Sequence, residues 1–312
     1  MSNSIAFIMD PLDTLTVYRD STLMMIEAAL KRKCDVYIFE PQDLTLKDNQ
    51  PYVHATPILA CDTQKKDWYQ LGETHLMPLR DCHTIVIRKD PPFDMDYIFL
   101  TYLLDSASQQ GVRVVNPPEA IRNFNEKMVI FNFPNCIAPT LVSSNKADIH
   151  AFWKQQGEII LKPLDGMAGR NIFQLKADDH NFSSIFESLT HYGKRPIMAQ
   201  RYLPEVRLGD KRIIILHGKV IPLALARIPQ TGEARANLAS GGKYQSQTLT
   251  KRDLWLCEQV IPFLTKHDIC FAGLDIIGDY ITEINITSPG CMRELSDASG
   301  QNLAEIFLEP FL

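Results

Sequence analysis

The sequence predicts an α/β N-terminal part built on an open, mostly parallel sheet, followed by an α+β part with antiparallel strands. Short apolar runs alternate with amphipathic helical segments over residues 1–122, which is the pattern of repeated β-α-β units. From Lys211 onward, strand-like segments follow one another directly, as in hairpins. The composition, 45% hydrophobic and 22% charged, is that of an ordinary globular protein.

Composition and charge exclude several classes of function. The 312 residues carry 32 Lys+Arg against 37 Asp+Glu, a formal charge of −5, which argues against binding nucleic acid through a broad basic surface. No segment approaches the roughly 20 apolar residues of a membrane helix, and no signal peptide is expected. Seven cysteines without a Cys-x-x-Cys pair favour reduced thiols in a cytoplasmic protein. At roughly 150 residues per domain, the length suggests two or three domains.

The first part is predicted to contain four strands and two helices. Asp20 or Ser21 is expected to cap the first helix, and Gly111 to end the second. The predicted elements are a strand at 4–9, a helix through residues 23–33, strands at 35–39 and 84–88, a helix at 96–110 and a strand at 112–115.

The order of predicted helices and strands changes in the second part of the chain and favours an α+β arrangement. His217-Gly218 is the predicted turn of one hairpin, and the segment around Gly278 is the turn of another. The other predicted elements are helices at 125–133, 146–156, 182–189 and 251–266 and strands at 158–162 and 196–200.

A small-residue loop follows the strand that ends at Lys162. Residues 165–169, Asp-Gly-Met-Ala-Gly, would allow backbone N–H groups to approach phosphate oxygens, with the lysine adding a charge. The loop matches neither the P-loop nor the dinucleotide-binding pattern. Taken alone, an ordinary turn between two strands is the better explanation.

The hairpin at 273–285 carries three oxygen-bearing side chains in segments that otherwise look buried, namely Asp275, Glu283 and Asn285. With a three-residue connection at 278–280, Ile277 pairs with Ile281 and Asp275 with Glu283, which places all three on one face. A strict two-residue turn would put Asp275 on the other face. Opposed carboxylates repel unless a cation lies between them, so we favour a Mg²⁺ site over a solvated polar face.

Several cations are placed where an anion could bind. Arg212, Arg227 and Arg88 lie at predicted strand ends, and Arg235 lies in the small-residue segment 228–243. For any one of them taken alone, solvent-exposed ion pairing is the better explanation. The segment 228–243 is either an active-site lid or a surface loop. Because no nucleophile motif is present, arginines around a metal indicate phosphoryl transfer by positioning and charge neutralisation.

An ordered set of motifs now supports a family resemblance. The motifs are IMDP at 8–11, RKDPPFD at 88–94, LKPLDGMAG at 161–169, GDKR at 209–212, LARIPQ at 225–230, NLASGGK at 237–243, GLDIIGD at 273–279 and TEINITSP at 282–289. Together they resemble the bacterial glutathione synthetase family of ATP-grasp ligases. The resemblance spans nearly the whole chain.

The resemblance implies an ATP-grasp fold with an N-terminal Rossmann-like (pre-ATP-grasp) domain. The expected domains are an N-terminal α/β substrate domain at 1–122, a central ATP-grasp subdomain at 123–202 and a C-terminal ATP-grasp subdomain with the metal site at 203–312. The implied reaction joins γ-glutamylcysteine to glycine with ATP and Mg²⁺ or Mn²⁺, through an acyl phosphate, giving glutathione, ADP and phosphate. A cytoplasmic homotetramer without nucleic-acid or membrane partners is also implied.

The resemblance assigns roles to individual residues. The catalytic set is Arg212, Arg227 and Arg235. The ATP set is Lys127, Lys162, Asp165, Gly166, Met167, Gly169, Gln200, Arg201, Tyr202, Leu203 and Asp210. The substrate set is Asp10, Arg19, Ser21, Arg88, Asn285, Ser288 and Pro289. The metal set is Asp275, Glu283 and Asn285.

Three positions depart from the family pattern. Ala168 replaces a frequent Gly, Arg19 a more usual Lys, and Arg201 a common Asn, which leaves their effect on ATP and substrate open. The alternative function is another ATP-grasp carboxylate–amine ligase, D-alanine–D-alanine-like or peptide-tailing, because the ATP half would look the same.

Overall fold

Three β-sheets organise the chain. The computed structural model describes residues 4–167, 169–228 and 243–312. Within them, one sheet is built from residues 4–115, one from residues 140–201 and one from residues 210–285. The third of these sheets carries most of the charged residues that are discussed below.

The first sheet has a parallel centre and an antiparallel extension. Its strand order is β3-β4-β2-β1-β7-β8, with β5 and β6 also pairing with β4. The pairs among β2, β1, β7 and β8 are parallel. The strands are β1 (Ser4–Ile8), β2 (Asp35–Phe39), β3 (Leu44–Lys47), β4 (Gln50–Cys61), β5 (Tyr69–Leu71), β6 (His75–Pro78), β7 (Thr84–Ile87) and β8 (Arg113–Val115).

Helices cover both faces of this sheet because its central strands are apolar on both sides. Ile5 and Phe7 face one core and Ala6 and Ile8 the other. The helices are α1 (Ser21–Lys31), α2 (Met95–Gln109) and α3 (Pro118–Asn123). The predicted cap of α1 is confirmed, since Asp20 accepts hydrogen bonds from the backbone N–H groups of Thr22 and Leu23.

The sequence reasoning missed the strands β3 to β6. β4 carries two prolines and a mixed burial pattern, so it lacks the clean alternation or apolar run by which strands are recognised. The predicted helix at 125–133 is confirmed only in part, because the structure has a shorter 3-10 helix at Met128–Asn132 there. The α-helix in this region is α3, which begins with a proline.

The second sheet is antiparallel, with the order β11-β10-β12-β9. Its strands are β9 (Thr140–Ser143), β10 (Ile159–Pro163), β11 (Phe173–Leu175) and β12 (Ile197–Arg201). Helices α4 (Lys146–Gln156) and α5 (Phe182–Thr190) share an apolar core with this sheet. They contact each other through Trp153 and Phe182, whose rings stack at 5.2 Å. The bounds of α4 agree with the prediction, since Asn145 caps its start and Gly157 its end.

The third sheet is also antiparallel, with the order β15-β14-β13-β16-β17. The strands are β13 (Asp210–Leu216), β14 (Lys219–Ile228), β15 (Lys243–Thr248), β16 (Phe271–Ile277) and β17 (Tyr280–Asn285). Helix α6 (Lys251–Lys266) covers its apolar face through Leu256, Val260 and Leu264. Both predicted hairpins are present.

The hairpin of β16 and β17 differs from the prediction in its turn and keeps the predicted face. Ile277 pairs with Tyr280, not with Ile281, so the turn is the two-residue Gly278-Asp279. A bulge between Ile276 and Asp275 then shifts the register by one residue. Because a bulge adds a residue to one strand, Asp275 still faces Glu283, and Gly273 faces Asn285.

The two ends of the chain share one core. Helix α7 (Met292–Ser299) buries Leu295, and helix α8 (Leu303–Leu308) buries Phe307. Both side chains share a core with Leu23 of α1 and Ile214 of β13. Among the described helices, none combines the length and apolar character needed to cross a membrane.

Asn116, directly after β8, ties the first sheet to the third. Its side-chain amide donates to the backbone carbonyls of Phe271 (2.8 Å) and Ile286 (2.7 Å). Its carbonyl accepts from the N–H groups of Cys270 (2.9 Å) and Phe271 (3.1 Å). Because the side chain is buried, each of these backbone groups depends on it for a partner.

We therefore expect Asn116→Ala to lower the free energy of unfolding by at least about 3 kcal/mol, since it leaves several buried backbone groups unpaired. Asn135→Ala, at an exposed position, is the control and should stay within about 0.5 kcal/mol. Urea unfolding of both variants measures the difference. Equal stability of the two variants would show that Asn116 is not a structural tie.

Candidate active site

A cavity of about 460 Å³ lies where the three sheets meet. Its walls come from the segment before α1, the end of β7, the strands β10 and β12, the charged face of the third sheet and the start of α7. Ligands commonly bind in such a concave space between structural units. It is therefore the candidate functional site.

A row of charged side chains crosses the third sheet beneath the cavity. The register pairs Arg212 with Asp275 and Asp275 with Glu283, while Asp210 pairs with Arg227. Cross-strand partners point to the same face, so the pairing alone places these five charges together.

Asp275 is the centre of this row. Its two oxygens accept bonds from Arg212 Nε (2.5 Å) and Nη2 (2.9 Å), and Arg227 Nη2 lies 3.0 Å away. The Arg212 side chain lies across Gly273, where an added Cβ would be 2.9 Å from Arg212 Cδ. A glycine at 273 is therefore what allows the arginine to lie flat against the strand and reach the carboxylate.

Glu283 links the third sheet to the second. Its Oε1 lies 3.3 Å from Lys162 Nζ and 3.6 Å from Lys127 Nζ. Lys162 also donates to the carbonyl of Thr282 (3.2 Å), the extra residue of the bulge, and Lys127 to the carbonyl of Gly166 (2.6 Å). Lys127 thus lies between Glu283 and the small-residue loop, and Lys162 contacts the same carboxylate. Two cations beside such a loop suit an anion site.

Burial opposes the charge of each group in this row, and pairing decides the outcome. Burial alone would raise the pKa of Asp275, but Arg212 and Arg227 hold it well below its usual range. Burial raises the pKa of Asp210 to about 6, against the opposing effect of Arg227. Burial likewise lowers the pKa of Lys162, although Glu283 counteracts it.

The residues proposed as metal ligands fit a hard cation. Glu283 Oε2 and Asn285 Oδ1 accept no hydrogen bond from the described residues, while Asn285 Nδ2 donates to Asp275 Oδ2 (3.2 Å). One or two carboxylates with further oxygen donors are typical of Mg²⁺. Asp275 would bind the cation through a carboxylate oxygen that already accepts a hydrogen bond from Arg212. No cluster of three His, Cys, Asp or Glu side chains suited to a metal occurs in the described ranges. The proposed ligand set therefore depends on the side-chain amide oxygen of Asn285.

Most of the residues predicted to bind ATP line the cavity. Gln200 of β12 donates to Thr140 Oγ1 (3.1 Å), and the Arg201 guanidinium lies 5.4 Å from the centre of the Tyr280 ring. The lining members of the predicted ATP set are Lys127, Lys162, Gly166, Met167, Gly169, Gln200, Arg201, Tyr202, Leu203 and Asp210.

The cavity also contains most of the predicted substrate residues, namely Arg19, Ser21, Arg88, Asn285 and Ser288. Ser288 Oγ donates to the carbonyl of Arg88 (3.2 Å). This bond joins the segment after β17 to the end of β7.

Three predicted residues lie outside the cavity lining. Asp10 is paired with Lys89 (2.7 Å), Asp165 is paired with Arg195 (2.5 Å), and Pro289 is the third. Arg235, Ala168 and the segment 229–242, which includes most of the expected lid, lie outside the described residues.

Glu126 is a residue that sequence reasoning missed. Its Oε1 accepts from the N–H groups of Ile286 (2.8 Å) and Thr287 (3.0 Å) and from the Thr287 hydroxyl (2.8 Å). It fixes the chain just beyond Asn285, on the cavity wall. Only its place beside Lys127 in the sequence could have pointed to it.

Comparison with known proteins agrees with this geometry. The family model for the N-terminal domain of prokaryotic glutathione synthetase matches residues 4–122, and the model for its ATP-grasp domain matches residues 126–300. The chain belongs to the prokaryotic glutathione synthetase family. The resemblance drawn from the motifs is thereby confirmed.

Individual relatives are similar over nearly the whole length. A glutathione synthetase of Ralstonia nicotianae is 44% identical over 305 residues, covering 98% of this chain and 94% of the relative. One of Nitrosomonas europaea is 45% identical over 307 residues, covering 98% and 96%.

Solved structures confirm the predicted ATP-grasp fold. The crystal structure of D-cycloserine synthetase DcsG superposes with a TM-score of 0.71 at 12% identity, covering 99% of this chain and 100% of that one. At this identity the likeness concerns the fold alone. This member of the glutathione synthetase family therefore shares its fold with D-cycloserine synthetase DcsG.

The central carboxylate allows a test of the charged row. We expect Asp275→Asn to lower the free energy of unfolding by about 3–5 kcal/mol, because it leaves the buried Arg212 without its carboxylate and Arg227 with Asp210 alone. Asp279→Asn, in the exposed turn of the same hairpin, should change stability by less than about 0.5 kcal/mol. Chemical denaturation without nucleotide measures both, and similar losses would contradict the assignment.

Proposed function

We propose that the chain joins γ-glutamylcysteine to glycine in an ATP-dependent reaction that yields glutathione, ADP and phosphate. Membership of the prokaryotic glutathione synthetase family supports this proposal, as do relatives of that name at 44–45% identity. The observation that carries it is the single cavity in which cations from all three sheets converge.

The proposed chemistry requires a carboxylate to become a good leaving group. The cysteinyl carboxylate of the dipeptide attacks the γ-phosphate of ATP, ADP leaves, and an acyl phosphate forms. The glycine amine then displaces phosphate and forms the peptide bond. Negative charge shifts between oxygens in both steps, so cations already in position contribute most to catalysis by stabilising that charge.

The residues of this chain divide the work by position. Lys127 and Lys162 would bind the phosphates beside the loop that contains Gly166. Residues 200–203 would hold the adenine, and Asp210 would lie near the nucleotide. Arg212 and Arg227, whose orientation is fixed by Asp275 and Asp210, would neutralise charge at the reacting carboxylate; Arg235 is proposed for the same role.

Glu283, Asn285 and Asp275 are proposed to hold Mg²⁺ or Mn²⁺. When bound, such an ion screens the phosphate oxygens and orients them for transfer. Asp10, Arg19, Ser21, Arg88, Ser288 and Pro289 are proposed to shape the dipeptide site, and Asp165, Met167 and Gly169 the phosphate loop.

The proposal extends to organisation and location. We place the domain boundaries at 1–122, 123–202 and 203–312, because each range contains one of the three sheets. A cytoplasmic homotetramer is proposed by family resemblance, and the seven cysteines, all free, fit a reducing compartment.

Release of ADP tests the function directly. We expect ADP release from the chain with Mg²⁺ to require ATP, γ-glutamylcysteine and glycine together, with glutathione formed in equal amount. The measurement omits each substrate in turn and adds D-alanine pairs or glutamate-tailed peptides as alternatives. Turnover with one of these alternatives and none with γ-glutamylcysteine would replace the proposal with another ATP-grasp ligase activity.

Glu283→Gln tests the metal assignment. It keeps the size of the side chain, so the fold should survive, while turnover should fall at least about 100-fold because an ion ligand and the partner of two lysines is lost. Glu258→Gln, exposed on α6, is the matched control. Full activity of Glu283→Gln, or unchanged binding of Mn²⁺ with ADP, would refute the assignment.

A further inference from the structure

The outer edge of β17 is held by one residue at the end that carries Asn285. β17 is the last strand of the third sheet, so no described strand pairs with its outer side. The backbone carbonyl of Glu126 accepts a hydrogen bond from the N–H of Ile284 (3.0 Å). Its carboxylate Oε1 accepts from the N–H groups of Ile286 (2.8 Å) and Thr287 (3.0 Å). Glu126 therefore binds the chain on both sides of Asn285.

The bonds to this carboxylate are needed because the segment is buried. Ile286 is 1% exposed and Thr287 5%, and a buried N–H group without a partner costs free energy. The Thr287 hydroxyl donates to the same oxygen (2.8 Å). An oxygen with three donors is best supplied by an ionised carboxylate, since hydrogen bonds to a charged acceptor are stronger. Glu126 thus fixes the path of residues 284–287.

The two neighbours of this glutamate contact the region of the small-residue loop. Asn125 Nδ2 donates to the carbonyl of Leu164 (3.0 Å), directly before the loop, and Lys127 Nζ donates to the carbonyl of Gly166 (2.6 Å), within it. Asn125 Oδ1 also accepts from the Lys127 N–H (3.0 Å), which makes the turn rigid. The segment 125–127 therefore connects the loop to the end of β17.

Asn285 is fixed from the inner side of the sheet as well. Its Nδ2 donates to the carbonyl of Gly273 (3.2 Å) and to Asp275 Oδ2 (3.2 Å), which leaves its Oδ1 as the atom available to a cation. The side-chain amide thus depends on β16, whereas the backbone on either side depends on Glu126. Both supports are required to place that oxygen.

Glu126 differs from the proposed metal ligands in that its Oε1 is already occupied by three protein donors. Its effect on a cation would therefore be indirect, through the residues that it holds. Groups that hold metal ligands in place without binding the metal typically change metal affinity about 10- to 100-fold when they are removed. An effect of this size can be measured.

We propose that Glu126 is a positioning residue for the proposed Mg²⁺ site and acts on Asn285 through the backbone of residues 284–287. The inference rests on the metal assignment of the proposed function and specifies which residue outside the ligand set controls the affinity of the site. Because the segment 125–127 also binds the small-residue loop, Glu126 keeps Asn285 in a fixed position relative to Lys127.

Binding of Mn²⁺ in the presence of ADP tests this role without turnover. Glu126→Ala should weaken Mn²⁺ binding about 10- to 100-fold, measured from the electron paramagnetic resonance signal of free Mn²⁺. Glu126→Gln keeps an oxygen acceptor on a side chain of the same length, so its loss should stay below about fivefold. Glu119→Ala, at an exposed position on α3, is the matched control and should bind Mn²⁺ as the unsubstituted protein does.

Two further measurements separate positioning from a merely structural role. Binding of ADP in EDTA should change less than about threefold in Glu126→Ala, because Lys127 keeps its bond to the Gly166 carbonyl. In the ligation assay, the Mg²⁺ concentration for half-maximal rate should rise about 10- to 100-fold, while kcat at saturating Mg²⁺ stays within about threefold. A general loss of structure would weaken ADP binding as well and would not be reversed by added Mg²⁺.

Unchanged Mn²⁺ binding by Glu126→Ala overturns the inference. An equal loss in Glu126→Gln overturns it too, since the charge and not the position of the chain would then decide the affinity. If Glu126→Ala does not fold, Thr287→Val, which removes only the hydroxyl donor, decides the question. It should weaken Mn²⁺ binding about three- to tenfold, and unchanged binding overturns the inference.

The outcomes also separate this inference from the proposed function. Binding of Mn²⁺ and ADP does not depend on which substrates are joined. Absence of ligation by the unsubstituted protein with γ-glutamylcysteine and glycine, together with the expected Mn²⁺ binding, overturns the proposed function and leaves the role of Glu126 standing. Absence of Mn²⁺ binding by the unsubstituted protein in the presence of ADP overturns the inference.

Discussion

The pairing of buried charges on one face of the third sheet is the constraint on which the site depends. Asp275 lies between two arginines, and Glu283 lies against two lysines. Buried charges persist only with partners at hydrogen-bonding distance, so the strands that carry them must keep a fixed register. The bulge beside Asp275 supplies that register. The network therefore positions its own cations in advance of any ligand, which reduces the reorganisation that a charged reaction would otherwise require.

The cavity exists because the C-terminal helices of the chain pack against its N-terminal helix α1. Helices α7 and α8 bury their apolar sides against α1, and Asn116 fixes the end of β8 to the third sheet through its side-chain bonds. These contacts hold the segment before α1 and the end of β7 over the charged face. The side of the cavity that we propose for the nucleotide, in contrast, comes from the second sheet through Lys162 and Gln200. A cavity shared between units can bring two substrates together while each unit keeps its own core.

Local signals allowed much of the fold to be predicted. The helices α1, α4 and α6 follow from apolar periodicity with capping residues at their starts, and both hairpins of the third sheet follow from short glycine-containing turns. The strands β3 to β6 could not be predicted from a local pattern. β4 pairs with β2, and β3, β5 and β6 pair with β4, so these strands depend on tertiary pairing for their stability. The 3-10 character of the helix at Met128–Asn132 could not be predicted, because an apolar run does not distinguish a 3-10 helix from an α-helix.

The sequence by itself determined the family, through ordered motifs, and the presence of Asp275, Glu283 and Asn285 on alternating positions of a hairpin. It also indicated Lys162, Arg88, Arg212 and Arg227 as cations placed where an anion could bind, because residue type and strand position are local properties. Only the tertiary structure decided that a bulge restores the face of Asp275, that Asp10 and Asp165 pair outside the cavity, and that Glu126 binds the chain just beyond Asn285. Those outcomes depend on contacts between residues far apart in the chain, and the spacing of residues along a strand or helix carries no information about them.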